Sequence, residues 1–175
     1  MALGGDTKQF VILKRLTTLL EGVTPANGYD FDLTGKVFRG KLVFGAQEAT
    51  PFVSIVEFPR PDTAPIEGGA ERLKRLEEWE LQVQGWTKTT QANPTDELYG
   101  LKGAIEHRLA RMMAVDNINK PLYPEDYRLG RIIDRARIGP GVVRAATPQT
   151  AGTEALYLPL IIHYTANIAD PWAVQ

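Results

Sequence analysis

The sequence predicts an α+β fold: a mixed or antiparallel sheet of about five to seven strands with two main helices packed on one face. Three observations predict it. Two stretches, Asp6 to Leu20 and Asn93 to Met113, carry apolar residues at helical spacing. Several shorter runs alternate apolar and polar residues with period two. The helical stretches do not alternate regularly with the extended ones, so a doubly wound parallel sheet is not indicated.

Taken in order, the first helix is expected from Asp6 to about Leu20. Asp6 caps it with Gln9 three residues on, Ile12, Leu13, Leu16, Leu19 and Leu20 form the stripe, and Gly22 stops it. Thr24 to Gly28 reads as a turn. Tyr29 to Leu33 alternates again and is read as a short strand, and Lys36 to Arg39, between Gly35 and Gly40, as a hairpin partner or edge strand. Phe52 to Phe58 is apolar on both faces, which marks a central strand. Pro59, Pro61 and Pro65 with two glycines make 59–70 an exposed loop. Glu71 to Glu78 is either the solvated start of a long strand or a helical turn.

From Glu78 to Gly85, Trp79, Leu81 and Val83 alternate with Glu78, Glu80, Gln82 and Gln84, a half-buried strand. Asn93, Pro94, Asp96 and Glu97 supply cap, first-turn proline and acids for the second helix, with Leu98, Leu101, Ile105, Leu109 and Met112 as its stripe. Asn117 to Tyr127 is an irregular connection. Leu129 to Ile138 is read as a strand with Ile132, Ala136 and Ile138 on one face and Arg131, Ile133, Arg135 and Arg137 on the other. Gly139-Pro140-Gly141 turns the chain into a short strand at Val142 and Val143. A long strand runs from Leu156 to Ile168, and the tail 170–175 leaves the sheet.

At 175 residues, 43% hydrophobic and 23% charged, the chain is read as one domain, 1–175, with a packed core. Twenty basic against 21 acidic residues give no bulk attraction to nucleic acid or anionic membrane. The absence of cysteine excludes disulfides, thiolate metal sites and cysteine nucleophiles, and fits a reducing cytosol. No apolar run approaches the roughly 20 residues of a membrane span, and Met1 to Gly5 has no signal-peptide character, so assembly in the cytoplasm is expected.

Chemistry is scarce. His107 and His163 stand in different elements without nearby ligands, and neither a serine elbow nor a phosphate loop is present. Asp62 with Glu80 and Gln82 loosely resembles the metal-binding core of restriction-type nucleases, but Gln82 stands where that core has a lysine. Glu78 to Gln84 reads more simply as the wet face of a strand. Arg131, Arg135 and Arg137, with Lys102, Arg108 and Arg111, suggest either a basic patch or a solvated face balanced by Asp134 and nearby acids. No cofactor, metal or catalytic residue is assigned.

Taken together, the helix Asp6 to Leu20, Tyr29, Val37-Phe38-Arg39-Gly40, the strand Phe52 to Phe58, Trp79 to Gly85, the Asn93-Pro94 helix and the long C-terminal strand resemble the bacteriophage tail terminator (tail completion) family. The resemblance implies a structural, non-enzymatic virion protein. It implies a hexameric ring at the head-proximal end of the tail, with the tail tube protein and the head connector as partners. A neck or head-closure protein of the same virion is the nearest alternative. A ring subunit needs two unlike surfaces, and the interface candidates are Pro61 and Ile66 in the loop, Pro171 and Trp172 in the tail, and Arg131, Arg135 and Arg137. Trp172 needs a pocket on its own domain or on another subunit. DNA threading the ring should pass without specific binding, which argues against a basic stripe in the lumen.

Overall fold

The computed structural model describes residues 5–42, 44, 49–58, 74–87, 92–93, 95–145, 155–167 and 169–172. The α+β expectation is met by a six-stranded mixed sheet with both long helices against one face. The elements are α1 (Lys8–Glu21), β1 (Val37–Arg39), β2 (Phe52–Glu57), β3 (Lys74–Trp86), α2 (Asp96–Ala110), β4 (Arg135–Ile138), β5 (Val142–Arg144) and β6 (Ala155–Asn167).

The sheet is built around β3 and β6, thirteen residues each, paired antiparallel from Lys74↔Asn167 to Gly85↔Leu156. On the far side of β3 lies β2, antiparallel, and beyond it β1, parallel to β2. The other edge of β6 is shared by β4 and β5. These two form one edge strand broken at Gly139-Pro140-Gly141, where the Gly139 amide still donates to the Pro159 carbonyl at 2.8 Å. Proline cannot donate to a ladder, so the break falls where the sequence puts Pro140.

The core lies between this sheet and the helices. Ile12, Leu16, Leu19 and Leu20 of α1 and Leu98, Leu101, Ile105 and Leu109 of α2 meet Trp79, Leu81 and Val83 of β3 and Leu156, Leu158, Leu160, Ile162 and Tyr164 of β6. Strict alternation on β3 and β6 puts all of these on one face. Gly85 permits the close approach: a Cβ there would sit 2.9 Å from Leu156 and 3.2 Å from Leu101.

Several local expectations change. The cap of α1 is Thr7, whose hydroxyl accepts from the Phe10 amide at 3.3 Å, while Asp6 pairs with Lys14. The first helical turn of α2 follows Thr95, and the Asn93 carbonyl accepts from the Asp96 amide at 3.3 Å. Pro94 lies outside the described residues. Tyr29 to Leu33 is no strand. It lies along α2, with the Tyr29 hydroxyl 2.9 Å from His107 Nδ1 and Phe31 against Gly100, and Leu33 enters the core. Local alternation there reflects side chains dropped alternately onto a helix.

The largest difference is at Leu129. The predicted strand Leu129–Ile138 is extended only from Arg135. Before it, Arg128, Leu129, Gly130 and Arg131 form one left-handed turn, with φ of 50°, 51°, 68° and 66°. Such angles cost an L-residue about 1–2 kcal/mol each, so the turn must be held from outside. Leu129 is buried, the Arg128 amide donates to the Met112 carbonyl at 2.9 Å, and the Arg15 guanidinium of α1 donates to the Leu129 carbonyl.

Candidate functional site

The sheet face turned away from the helices is not covered by either helix, and the β-register fixes what it displays. On β3 the open face carries Leu76, Glu78, Glu80, Gln82 and Gln84; on β6 it carries Thr165, His163, Ile161, Pro159 and Tyr157. On the broken edge strand it carries Arg135 and Arg137 (β4), then Val142 and Arg144 (β5). Acids therefore stand in one column, bases in another, and largely uncharged side chains between them. Two strand spacings, about 10 Å, separate the acidic from the basic column.

The columns touch at one point. Arg137 Nη2 lies 3.3 Å from Glu78 Oε2, and His163 Nε2 lies 3.5 Å from the same oxygen and 3.4 Å from Arg135 Nη2. His163, expected on the less buried strand face, is on that face but only 5% exposed, because Arg135 and Glu78 close over it. The Arg137–Glu78 pair is about half exposed on both sides, so it contributes well under 1 kcal/mol and leaves Arg137 free to find another acid.

At the other end the face is aromatic. Phe52 and Trp86 stack with centroids 4.9 Å apart, Phe44 lies 4.3 Å from Phe52, and Phe38 closes the group. Lys41 stands 4.2 Å over Phe38, and Arg144 5.4 Å over Tyr157. Buried Ser54 beneath this group donates to the Lys41 carbonyl at 2.7 Å, which satisfies it. Between the two ends a shallow pocket of about 310 Å³ is lined by Gln82, Pro140, Val142, Arg144, Tyr157 and Pro159.

A second exposed surface was not foreseen. The segment 114–122, which overlaps the irregular connection expected from Asn117 to Tyr127, is a small built hairpin after α2. Leu122 donates to the Ala114 carbonyl at 3.0 Å and Asp116 to the Lys120 carbonyl at 2.9 Å. Its tip is tied by Asp116 Oδ1, which accepts from the amides of Ile118 and Lys120 at 2.9 and 2.8 Å. This finger displays Ile118, 74% exposed, with Leu122 at 56%. The signal available in the sequence was Asp116-Asn117-Ile118-Asn119, since Asp and Asn bind their own backbone and Asn tolerates the positive φ found at Asn119.

The basic residues singled out from sequence do not form one patch. Arg135 and Arg137 share the open face. Arg131 belongs to the left-handed turn, and Lys102, Arg108 and Arg111 belong to the helix layer. There Lys102 pairs with Glu106 at 2.7 Å, Arg111 with Asp126 at 2.6 Å, and Arg108 donates to the Leu19 carbonyl at 2.7 Å. Asp134, expected to balance the arginines, instead accepts from the Thr165 hydroxyl at 3.0 Å.

Pro171 is an anchor: its carbonyl accepts from the Lys8 amide at 2.9 Å, satisfying one orphan donor at the start of α1. Trp172 is half-buried beside Gly5, so its own domain provides part of its seat. Pro61, Ile66 and Asp62 lie outside the described residues. Glu80 is exposed on the open face, and among the described residues no group of three potential ligands gathers to hold a metal. Nor is any helix among them long and apolar enough to cross a membrane. Scans against protein-family models and against curated proteins find no match to this chain.

Proposed function

We propose that the protein is a structural component of a bacteriophage virion, a tail terminator. In this reading it forms a six-fold homo-oligomeric ring at the head-proximal end of the tail, ends tube polymerisation and offers the joint to the head connector. The observation that carries the reading is the pair of unlike exposed surfaces. An apolar finger leaves the helix layer after α2, and a charge-ordered face lies on the opposite side of the sheet. A ring closes through heterologous contacts, in which one surface of each subunit meets a different surface of the next. The order of elements, an N-terminal helix, a short edge strand and a long antiparallel pair flanked by the second helix, supports the same reading through the family resemblance.

In this reading the protein does no chemistry, and its net charge of −1 suits a passage that DNA crosses without being held. Arg135 and Arg137 then serve protein contacts outside the lumen. Negative-stain imaging of the purified protein, alone and with tail tubes, tests the proposal. Rings with a central hole that cap tube ends are expected. Particles without a hole, together with tubes that grow to uncontrolled length in their presence, would sink it.

A further inference from the structure

We propose that the finger 114–122 of one subunit plugs into the pocket at the strand break of the next, with Ile118 as the knob. This rests on the ring reading and identifies the two surfaces that meet.

The pocket follows from the sequence of the edge strand. Ile138 of β4 pairs with Leu160 and Val142 of β5 with Tyr157, so Gly139, Pro140 and Gly141 stand opposite only Pro159 and Leu158. The extra residue bulges the edge outward, as an unpaired residue in a ladder does. There the pocket of about 310 Å³ opens on the open sheet face as a notch, with apolar walls of Pro140, Val142, Tyr157 and Pro159. Gln82 and Arg144 complete its lining. Val142 is 50% exposed, so this wall faces water in the single chain.

The finger is shaped for such a notch. Ile118 stands at its tip, 74% exposed, and none of the large apolar side chains among the described residues is more exposed. The tip is ordered beforehand, because Asp116 Oδ1 holds the Ile118 and Lys120 amides and Val115 bridges Pro121. A branched side chain on a tied turn spares the entropy that a loose loop would lose on docking. Charge agrees as well. Among the described residues neither Asp116 nor Arg144 has an ion-pair partner: Asp116 serves backbone amides and Arg144 lies over the Tyr157 ring. An acid beside the knob and a base beside the notch compensate each other when Ile118 enters.

A chain cannot fill its own notch. The finger leaves the helix side of the sheet at the end of α2, and the notch opens on the opposite face. They also lie at opposite ends. Leu101, near the start of α2, sits over Gly85 and Leu156, beside the row of Tyr157. From Leu101 to Ala110 the helix carries the chain about 14 Å away, at 1.5 Å per residue. Knob and notch on unlike sides give a head-to-tail contact that passes from subunit to subunit, the type on which a ring closes. A specific interface needs about 1,200 Å² in all, so Ile118 is the apolar anchor of a wider contact with a polar rim.

Two chains that each lack one half of the contact test it. Ile118→Asp destroys the knob and Val142→Glu the notch; both side chains are half exposed or more, so folding is not at stake. Each variant alone should lose self-association about 10–100-fold in sedimentation velocity, the worth of burying one aliphatic side chain. Mixed in equal amounts, the intact knob of the Val142→Glu chain meets the intact notch of the Ile118→Asp chain. The mixture should therefore form a 1:1 heterodimer that grows no further. Asp116→Asn keeps the acceptor that ties the tip and removes the charge. It should weaken assembly about 2–5-fold, and have no further effect in an Arg144→Gln background. A wild-type chain that stays monomeric from micromolar to millimolar concentration overturns the proposal, as does a mixture without heterodimer. Holed rings formed by wild type and both single variants alike overturn the knob but leave the terminator reading standing. A heterodimer from the mixture, with wild-type assemblies that never cap tail tubes, does the reverse.

Discussion

Gly130→Ala probes the element that sets where β4 begins. Gly130 sits at φ 68° in the left-handed turn, and a Cβ added there would run into Arg15 Nη1. Two costs follow. Placing an L-residue in this region costs about 1 kcal/mol or slightly more. Displacing the guanidinium forfeits its hydrogen bonds to the Leu129 and Gly130 carbonyls, worth about 1 kcal/mol net at a partly exposed site. The sum is about 2 kcal/mol, or roughly 4–8 °C in Tm for a chain of this size. Urea unfolding followed by circular dichroism reads it, and a double-mutant cycle divides it. In an Arg15→Ala background the same glycine substitution should cost only the backbone part, about 1 kcal/mol, giving a coupling near 1 kcal/mol. A Gly130→Ala protein within 0.5 kcal/mol of wild type, or one equally destabilised in both backgrounds, would refute this account of the turn.

Ile118→Asp should leave stability within about 0.5 kcal/mol, since Ile118 is 74% exposed, yet abolish rings seen by imaging if the finger seats on a neighbour. Deleting residues 171–175 removes the Pro171 carbonyl from the start of α1 and should cost about 1 kcal/mol in urea unfolding. An unchanged oligomer mass in that truncation would assign Trp172 to its own domain alone. Trp79→Ala, at a side chain 2% exposed beneath both helices, should cost about 3–5 kcal/mol and broaden the unfolding transition. The carboxyl of Asp32 is held below the usual aspartate range by the hydrogen bond from the Thr34 amide, then by the Thr34 hydroxyl and the charge of Lys36. A depressed folded pKa stabilises the protein above the unfolded value near 3.8, and this is lost as pH falls through the folded value. An NMR titration should place its midpoint below 3.8, and Thr34→Ala should raise it without full return; a midpoint at or above 3.8 in wild type would contradict the assignment.

The expected fold and the found fold agree where periodicity is sustained. Thirteen residues of strict alternation in β6, and Trp79, Leu81 and Val83 in β3, allow one buried face whatever the surroundings. The stripes of α1 and α2 are as constrained, and all five apolar residues expected on α2 are buried. Agreement fails where the pattern is short. Tyr29 to Leu33 alternates over five residues, too few to distinguish a strand from a loop lying on a helix. Leu129 to Ile138 has strand-forming residues, but Gly130, the buried Leu129 and contacts from Arg15 and Met112, distant in the chain, outweigh local preference.

The candidate site divides in the same way. That Glu78, Glu80, Gln82 and Gln84 share one face follows from sequence alone, because a strand has period two. Which strand lies beside them does not, since pairing joins residues some 80 positions apart, as Glu80 and Ile161 are joined. The sequence by itself therefore determined the faces of the long elements, the lack of cysteine chemistry and the near-neutral charge. Only the tertiary structure decided that the arginines of β4 stand two columns from the glutamates of β3, that Arg108 and Arg111 lie on the other side of the sheet, and that 114–122 is a finger. Periodicity is a property of one segment, whereas register and neighbourhood are set by the packing of segments against each other.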